Sequence, residues 1–179
     1  MKKRLRGRNA PGVNAHSPEI IDYVDDEDRV VSQGPRGEAW KAGLSFRVAA
    51  TVLFEQGRER VLVYRRSANA RPFGGHHDVL VGGAPRSGET YRQAAERELY
   101  EELGVRSSLQ EALRLRVDTP VGPCHLMVHE TESAVSIQRN PREVAHHVFL
   151  APHQVLSQPP SPFVPMGLQV LRLLSAHTH

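Results

Sequence analysis

Residues 83–105 read GAPRSGETYRQAAERELYEELGV, and the spacing inside that run decides the fold. Gly83 is followed after five residues by Glu89, after seven more by Arg97-Glu98-Leu99, and then by Glu101-Glu102 and Gly104-Val105. The spacing predicts a helix opening near Glu89-Thr90 and closing at Gly104, where glycine takes a left-handed cap. Glu98, Glu101 and Glu102 sit three and four residues apart, so they project from neighbouring turns of one face. Like charges at that spacing repel by about 0.2–0.5 kcal/mol per pair. A hard divalent cation would remove the conflict, because Mg²⁺ takes carboxylate oxygens and keeps waters for substrate phosphates. Arg97 can pair with Glu101 or with Glu89 and hold the cluster. Ala95, Leu99 and Leu103 form an opposite, apolar face suited to a sheet. Gly82 and Gly83 allow close backbone approach, with the Gly82 carbonyl able to point at a metal.

This run resembles the Nudix hydrolase signature at every specified position: Gly83, Glu89, Arg97, Glu98, Leu99, Glu101, Glu102, Gly104 and Val105. The resemblance implies an α/β fold of the α+β kind, an α/β/α sandwich around a mixed central sheet. It also implies a Mg²⁺-dependent pyrophosphohydrolase, with Mn²⁺ as a substitute, that cleaves a nucleoside-diphosphate-linked or related small molecule through a metal-activated water. Mapped onto this chain, Glu98 and Glu102 become metal ligands, with the Gly82 carbonyl beside them. Glu101 becomes a third ligand or the holder of a water, and Arg97 with Glu89 supports the helix. The proton acceptor stays open between Glu101, or another helix glutamate such as Glu98, and Glu143, which precedes a strand at Val144–Leu150.

A second resemblance covers roughly residues 19–105. Ile21-Asp22, Asp25 to Val31, Phe46-Arg47-Val48 and Arg65-Arg66-Ser67 look like the Nudix proteins related to isopentenyl-diphosphate isomerase. That group implies an alternative, double-bond migration in a prenyl diphosphate. The isomerase cysteine position holds Gly82 here, and a histidine position holds Ala84. Arg65, Arg66 and Arg71 are the candidate diphosphate contacts, since a guanidinium offers a planar fork of donors. Arg65 and Arg66 are consecutive on a strand, so at most one faces the cleft. His76-His77 and His146-His147 are not expected as ligands, because strand neighbours cannot both face one ion and the hard site is already carboxylate.

The flanking chain reads as strands with few helices. Ile20–Val24 and 29–32 suggest a hairpin, 33–43 a loop, and 45–54 with 60–64 two strands joined at Gly57. Residues 68–75 read as a loop and 77–81 as an extended run. Residues 112–118 and 124–131 read as strands about a proline turn, and Pro165–Ala176 as a closing helix.

The composition is that of a folded soluble chain, with 39% hydrophobic and 24% charged residues. The net charge of +3 includes five cations within residues 2–8, so residues 9–179 carry −2. Residues 1–17 are expected to be a disordered basic tail and 18–179 a single domain. No apolar run approaches a membrane span, no signal peptide is legible, and lone Cys124 excludes an internal disulfide. A cytoplasmic location is expected. The partners expected are a small-molecule diphosphate and no membrane. Five cations without aromatics argue against nucleic acid, the alternative being a non-catalytic binding module, and a homodimer stays open.

Overall fold

The computed structural model describes residues 19–176. The tail expected over residues 1–17, and both ends of the 18–179 domain, therefore lie outside the described residues.

Strand β3, Ser45–Glu55, organises the architecture. Strand side chains alternate between faces, and both faces of this strand are apolar. Ala49 and Leu53 enter one core cluster, and Ala50, Val52 and Phe54 enter another on the opposite side. Such a strand requires cover on both faces, and it receives it. Helix α1, Tyr91–Leu103, lays Ala94, Ala95, Leu99 and Leu103 on the first face. Helices α2, Pro152–Ser157, and α3, Pro165–Ala176, bring Val155, Val170, Leu171 and Leu174 to the second. Strand β4, Val61–Arg66, repeats the alternation, with Leu62 and Tyr64 towards α1 and Val61 and Val63 towards α3.

The sheet is mixed, as expected. The remaining strands are β1 (Ile20–Val24), β2 (Val30–Pro35), β5 (His77–Asp78), β6 (Val81–Gly83), β7 (Gln110–Thr119), β8 (Gly122–Ser133) and β9 (Val144–Leu150). β3 runs parallel to β8, from Phe46 opposite Cys124 to Glu55 opposite Ser133. β8 forms a hairpin with β7. On its other edge β3 meets β1 at its start, β6 in the middle and β4 at its end, all antiparallel. β4 in turn carries β5 and β9. The result is an α/β/α sandwich.

Three details differ from the reading of the sequence. Residues 33–43 are only partly a loop: Gln33 to Pro35 complete β2, and Ala39–Ala42 form a 3-10 turn closed by left-handed Gly43. The run 77–81 is not one strand. Asp78 Oδ1 accepts from the Val79 and Leu80 amides at 2.8 and 3.1 Å, bending the chain between β5 and β6. Helix α2 is absent from the expectation because six residues are too short for a periodic signal.

Gly82 is the tightest backbone approach in the sheet centre, since a Cβ there would collide with the Ala49 carbonyl of β3. Gly82→Ala is expected to destabilise the fold by about 1–3 kcal/mol, as overpacking does. Urea unfolding monitored at Trp40 checks this; an unchanged midpoint would mean that β6 can slide away from β3.

Candidate active site

The acidic helix is held at both ends before any ligand is considered. Thr90 caps it, with Oγ1 accepting from the Gln93 amide at 3.2 Å while Gln93 Oε1 accepts from the Thr90 amide at 2.9 Å. Gly104 at φ 68° closes the other end. The β1–β2 hairpin props the helix start. Asp22 accepts from the Gly88 amide at 3.0 Å, and Asp28 accepts from Arg47 at 2.6 Å and from the Tyr91 hydroxyl at 3.0 Å. Burial would raise Asp22, but hydrogen bonds from the Gly88 amide, Ser87 and Gln33 hold it below the usual carboxylate range.

Arg97 sits at the centre of the carboxylates and pairs with more of them than the sequence suggested. It meets Glu89 at 2.9 Å, Glu98 at 2.6 Å and Glu101 at 3.3 Å. Its side chain is only 14% exposed, so these contacts are poorly screened. The Glu89 hydrogen bonds come first among the causes that hold the guanidinium charged. Burial raises Glu98, and Arg97 offsets part of that rise. Gly83 is shaped to the same group, because a Cβ on it would lie 2.6 Å from Glu98 Oε1.

Glu102 is different. It is 8% exposed, and no side-chain or backbone donor among the described residues meets its carboxylate. Burial, and after it the nearby Glu98 charge, push it up to about 8.

One cleft of about 260 Å³ collects most of the expected site. Glu98, Glu101, Glu102 and Glu143 line it, with Gly82, Gly83, Arg66, Arg71 and Arg97. The carboxylates are not gathered about one point: among the described residues no group of three or more His, Cys, Asp or Glu is poised to hold a metal ion. Arg97 lies between Glu98 and Glu101 instead.

Arg65 corrects the expected diphosphate contacts. It is exposed, donates to the Gly75 carbonyl at 3.1 Å, and lines neither this cleft nor its neighbour, because strand alternation turns it away from Arg66. Arg66 enters the cleft, and its buried Nε has no partner. His76, His77, His146 and His147 line neither cleft. Glu19, Arg36 and Arg86 also line the carboxylate cleft and had not been singled out. Arg36 and Arg86 come from loops, where spacing carries no signal; Arg86 lies 3.6 Å from both Glu19 and Glu101.

A second cleft, about 150 Å³ and mostly apolar, adjoins the first. Phe46, Val48, Leu126, Val164 and Met166 line it, together with Asp78 and Cys124. Arg36, Arg66, Gly82 and Gly83 line both clefts and make them continuous. Burial pushes the Cys124 thiol up to about 12, so it is protonated.

Fold and site together define a class: a two-faced mixed sheet carrying an acidic helix beside an arginine-lined cleft. The chain belongs to the NUDIX domain family, whose model matches residues 45–171. An uncharacterized Nudix hydrolase of Pseudomonas aeruginosa is 34% identical over 161 residues, covering 89% of this chain and 95% of that protein. The crystal structure of a Deinococcus radiodurans protein, DR0079, superposes with a TM-score of 0.74 at 27% identity, covering 87% of this chain and 99% of that one. An isopentenyl-diphosphate delta-isomerase of Haloarcula marismortui is 37% identical over 97 residues, 53% of this chain and 49% of that protein. Enzymes of this family are pyrophosphohydrolases that use divalent metal and bind small molecules. No described helix is long and apolar enough to cross a membrane.

Proposed function

We propose that this protein hydrolyses the diphosphate bond of a nucleoside-diphosphate-linked or related small molecule, with Mg²⁺ as its natural cofactor and Mn²⁺ as a substitute. The observation that carries the reading is Glu102, a buried carboxylate raised to about 8 with no donor to satisfy it, inside a cleft of further carboxylates and arginines. A buried charge without a partner is costly, and a divalent cation is the partner that a set of oxygen donors accepts. The donor chemistry fits: Glu98, Glu102 and Glu101 line one cleft as hard oxygen donors, and side-chain-free Gly83 leaves room beside Glu98. Bound there, Mg²⁺ supplies charge neutralisation for the phosphates and a lowered pKa for water.

The protein's own residues do the rest. Arg66 and Arg71 bind and orient the diphosphate through planar donors. Arg97 acts as a positioning residue that holds Glu98 and Glu101 for their roles. A carboxylate takes the proton from the attacking water. Of the two candidates outside the primary ligand pair, Glu101 is committed to Arg97 and Arg86, whereas Glu143 forms no ion pair among the described residues. Glu143 is therefore the better acceptor. The same reading takes 18–179 as one domain acting in the cytoplasm.

The isomerase alternative has against it Gly82 at the expected cysteine position and a complete hydrolytic signature. Incubation with isopentenyl diphosphate tests it, and formation of dimethylallyl diphosphate would revive it. The hydrolase reading is tested by phosphate release over nucleoside di- and triphosphates, nucleotide sugars, dinucleotides and prenyl diphosphates. Turnover should appear with Mg²⁺, vanish with a chelator and return when the ion is restored. Silence across the panel with both Mg²⁺ and Mn²⁺ would sink it.

A further inference from the structure

Tyr64 and Arg66 stand two residues apart on β4, so their side chains rise from the same face. Tyr64 is buried, and its hydroxyl donates to the Leu80 carbonyl at 2.7 Å. Burial pushes that hydroxyl well above its usual range, so it stays protonated. Its oxygen keeps a lone pair for a second partner, and Arg66 Nη1 donates to it at 3.5 Å. Leu80 is itself fixed by the bend, where Asp78 Oδ1 accepts from the Val79 and Leu80 amides at 2.8 and 3.1 Å. One chain of contacts therefore runs from Asp78 through Leu80 and Tyr64 to the guanidinium.

Arg66 needs that support. Its Nε is buried without a partner, and among the described residues no carboxylate lies within ion-pair distance of it. Burial alone would lower its pKa; the Tyr64 oxygen and the charges of Asp78 and Glu102 hold it above the usual value. Glu102 is assigned to the cation in the hydrolase reading, so Asp78 is the acid left to balance Arg66. That accounts for a carboxylate at 4% exposure in a mostly apolar wall. The bend alone does not, because an asparagine carbonyl would accept the same two bonds without burying a charge. We propose that Tyr64 and Asp78 are positioning residues that together hold the Arg66 guanidinium against the substrate's diphosphate. Tyr64 fixes the direction of the donor fork and Asp78 balances its charge. Both act through Arg66, and that Arg66 meets phosphate rests on the hydrolase reading above. Aim matters at this residue, because it lines both clefts and a guanidinium binds phosphate well only when two donors are aligned.

The test is calorimetric binding of inorganic pyrophosphate with Mg²⁺ present, run beside the turnover panel. Tyr64→Phe, Asp78→Asn and Arg66→Gln are measured singly, and the first two again in the Arg66→Gln background, where Arg71 and the cation should keep binding measurable. Tyr64→Phe keeps the ring that packs beneath α1. Asp78→Asn keeps the bend and replaces the second oxygen by an NH₂. Each should weaken pyrophosphate binding about 10-fold, the scale of one hydrogen bond to a charged group. In Arg66→Gln the same changes should cost less than about 2-fold, since nothing is left to position. A role confined to folding would cost the same factor in both backgrounds. Tyr64→Phe leaves the Leu80 carbonyl without its donor; should it fail to fold, Asp78→Asn carries the comparison. Losses that depend on Arg66, without turnover of any compound in the panel, would keep this inference and sink the hydrolase reading. Turnover with equal losses in both backgrounds would do the opposite. Wild type that does not bind pyrophosphate, or single variants that bind it as wild type does, overturn the assignment.

Discussion

Replacing Glu102 by glutamine is expected to raise the melting temperature of the metal-free protein while cutting turnover by about three orders of magnitude, the scale on which charge-stabilising groups act in catalysis. The two effects have one origin. Glu102 is pushed up to about 8 by burial and by the Glu98 charge, from an ordinary value near 4.5. A raised carboxylate pKa means that the folded state binds more protons than the unfolded state between those values. Metal-free stability must therefore fall as pH rises from about 4.5 to about 8, and level off above it. Glutamine removes that dependence and relieves a burden on the order of 4 kcal/mol at pH 8. A melting series against pH, with and without Mg²⁺, checks both halves. Wild type should gain stability from the ion and the variant should not. A variant that melts lower than wild type at pH 8 without metal would show that Glu102 has a donor after all.

Arg97→Ala is the second large effect, and it has the opposite sign. Arg97 touches Glu89, Glu98 and Glu101 from a position only 14% exposed. Removing one member of a buried ion pair costs about 3–5 kcal/mol, because the other charge is left without its partner. Three carboxylates lose this partner, although Glu101 keeps Arg86 and, at 47% exposure, is eased by solvent. The variant should melt well below wild type in chelator and recover much of the loss in excess Mg²⁺. Arg97→Lys should restore only part, since an ammonium cannot fork between three carboxylates. If Mg²⁺ gives Arg97→Ala no more than it gives wild type, arginine and metal do not answer the same repulsion.

The acidic helix was legible in the sequence because its signal is periodic and local. Glu98, Glu101 and Glu102 share a face by spacing alone, and Thr90 and Gly104 mark the ends. β3 and β4 were legible as strands, whereas the burial of both their faces comes from the structure. The parts that escaped are those set by tertiary approach. Nothing near Arg36 announces a guanidinium lining two clefts, because it stands in a loop whose neighbours have no period. Arg65 and Arg66 are chemically equal in sequence, and only pairing with β9 and β5 decides which one faces the cleft. Asp78 carried a signal that went unread: one acid within the run His77-Asp78-Val79-Leu80-Val81 is out of place in an extended apolar segment. Its reason was a bend that needs two amides satisfied at once.

The parallel pairing of β3 with β8 has a consequence for how the chain reaches this state. Phe46 must find Cys124, and every residue of α1 lies inside the loop that this contact closes. Closing a long loop costs entropy before it returns any contact, and domains rich in such distant pairings fold slowly. The local hairpins β1–β2 and β7–β8 need no such closure and can form early. The acidic helix has nothing to rest on until the central ladder is zipped, so the catalytic apparatus belongs to the last stage of the folding reaction. In a refolding experiment, hairpin signals should therefore lead and the cation-binding signal should trail.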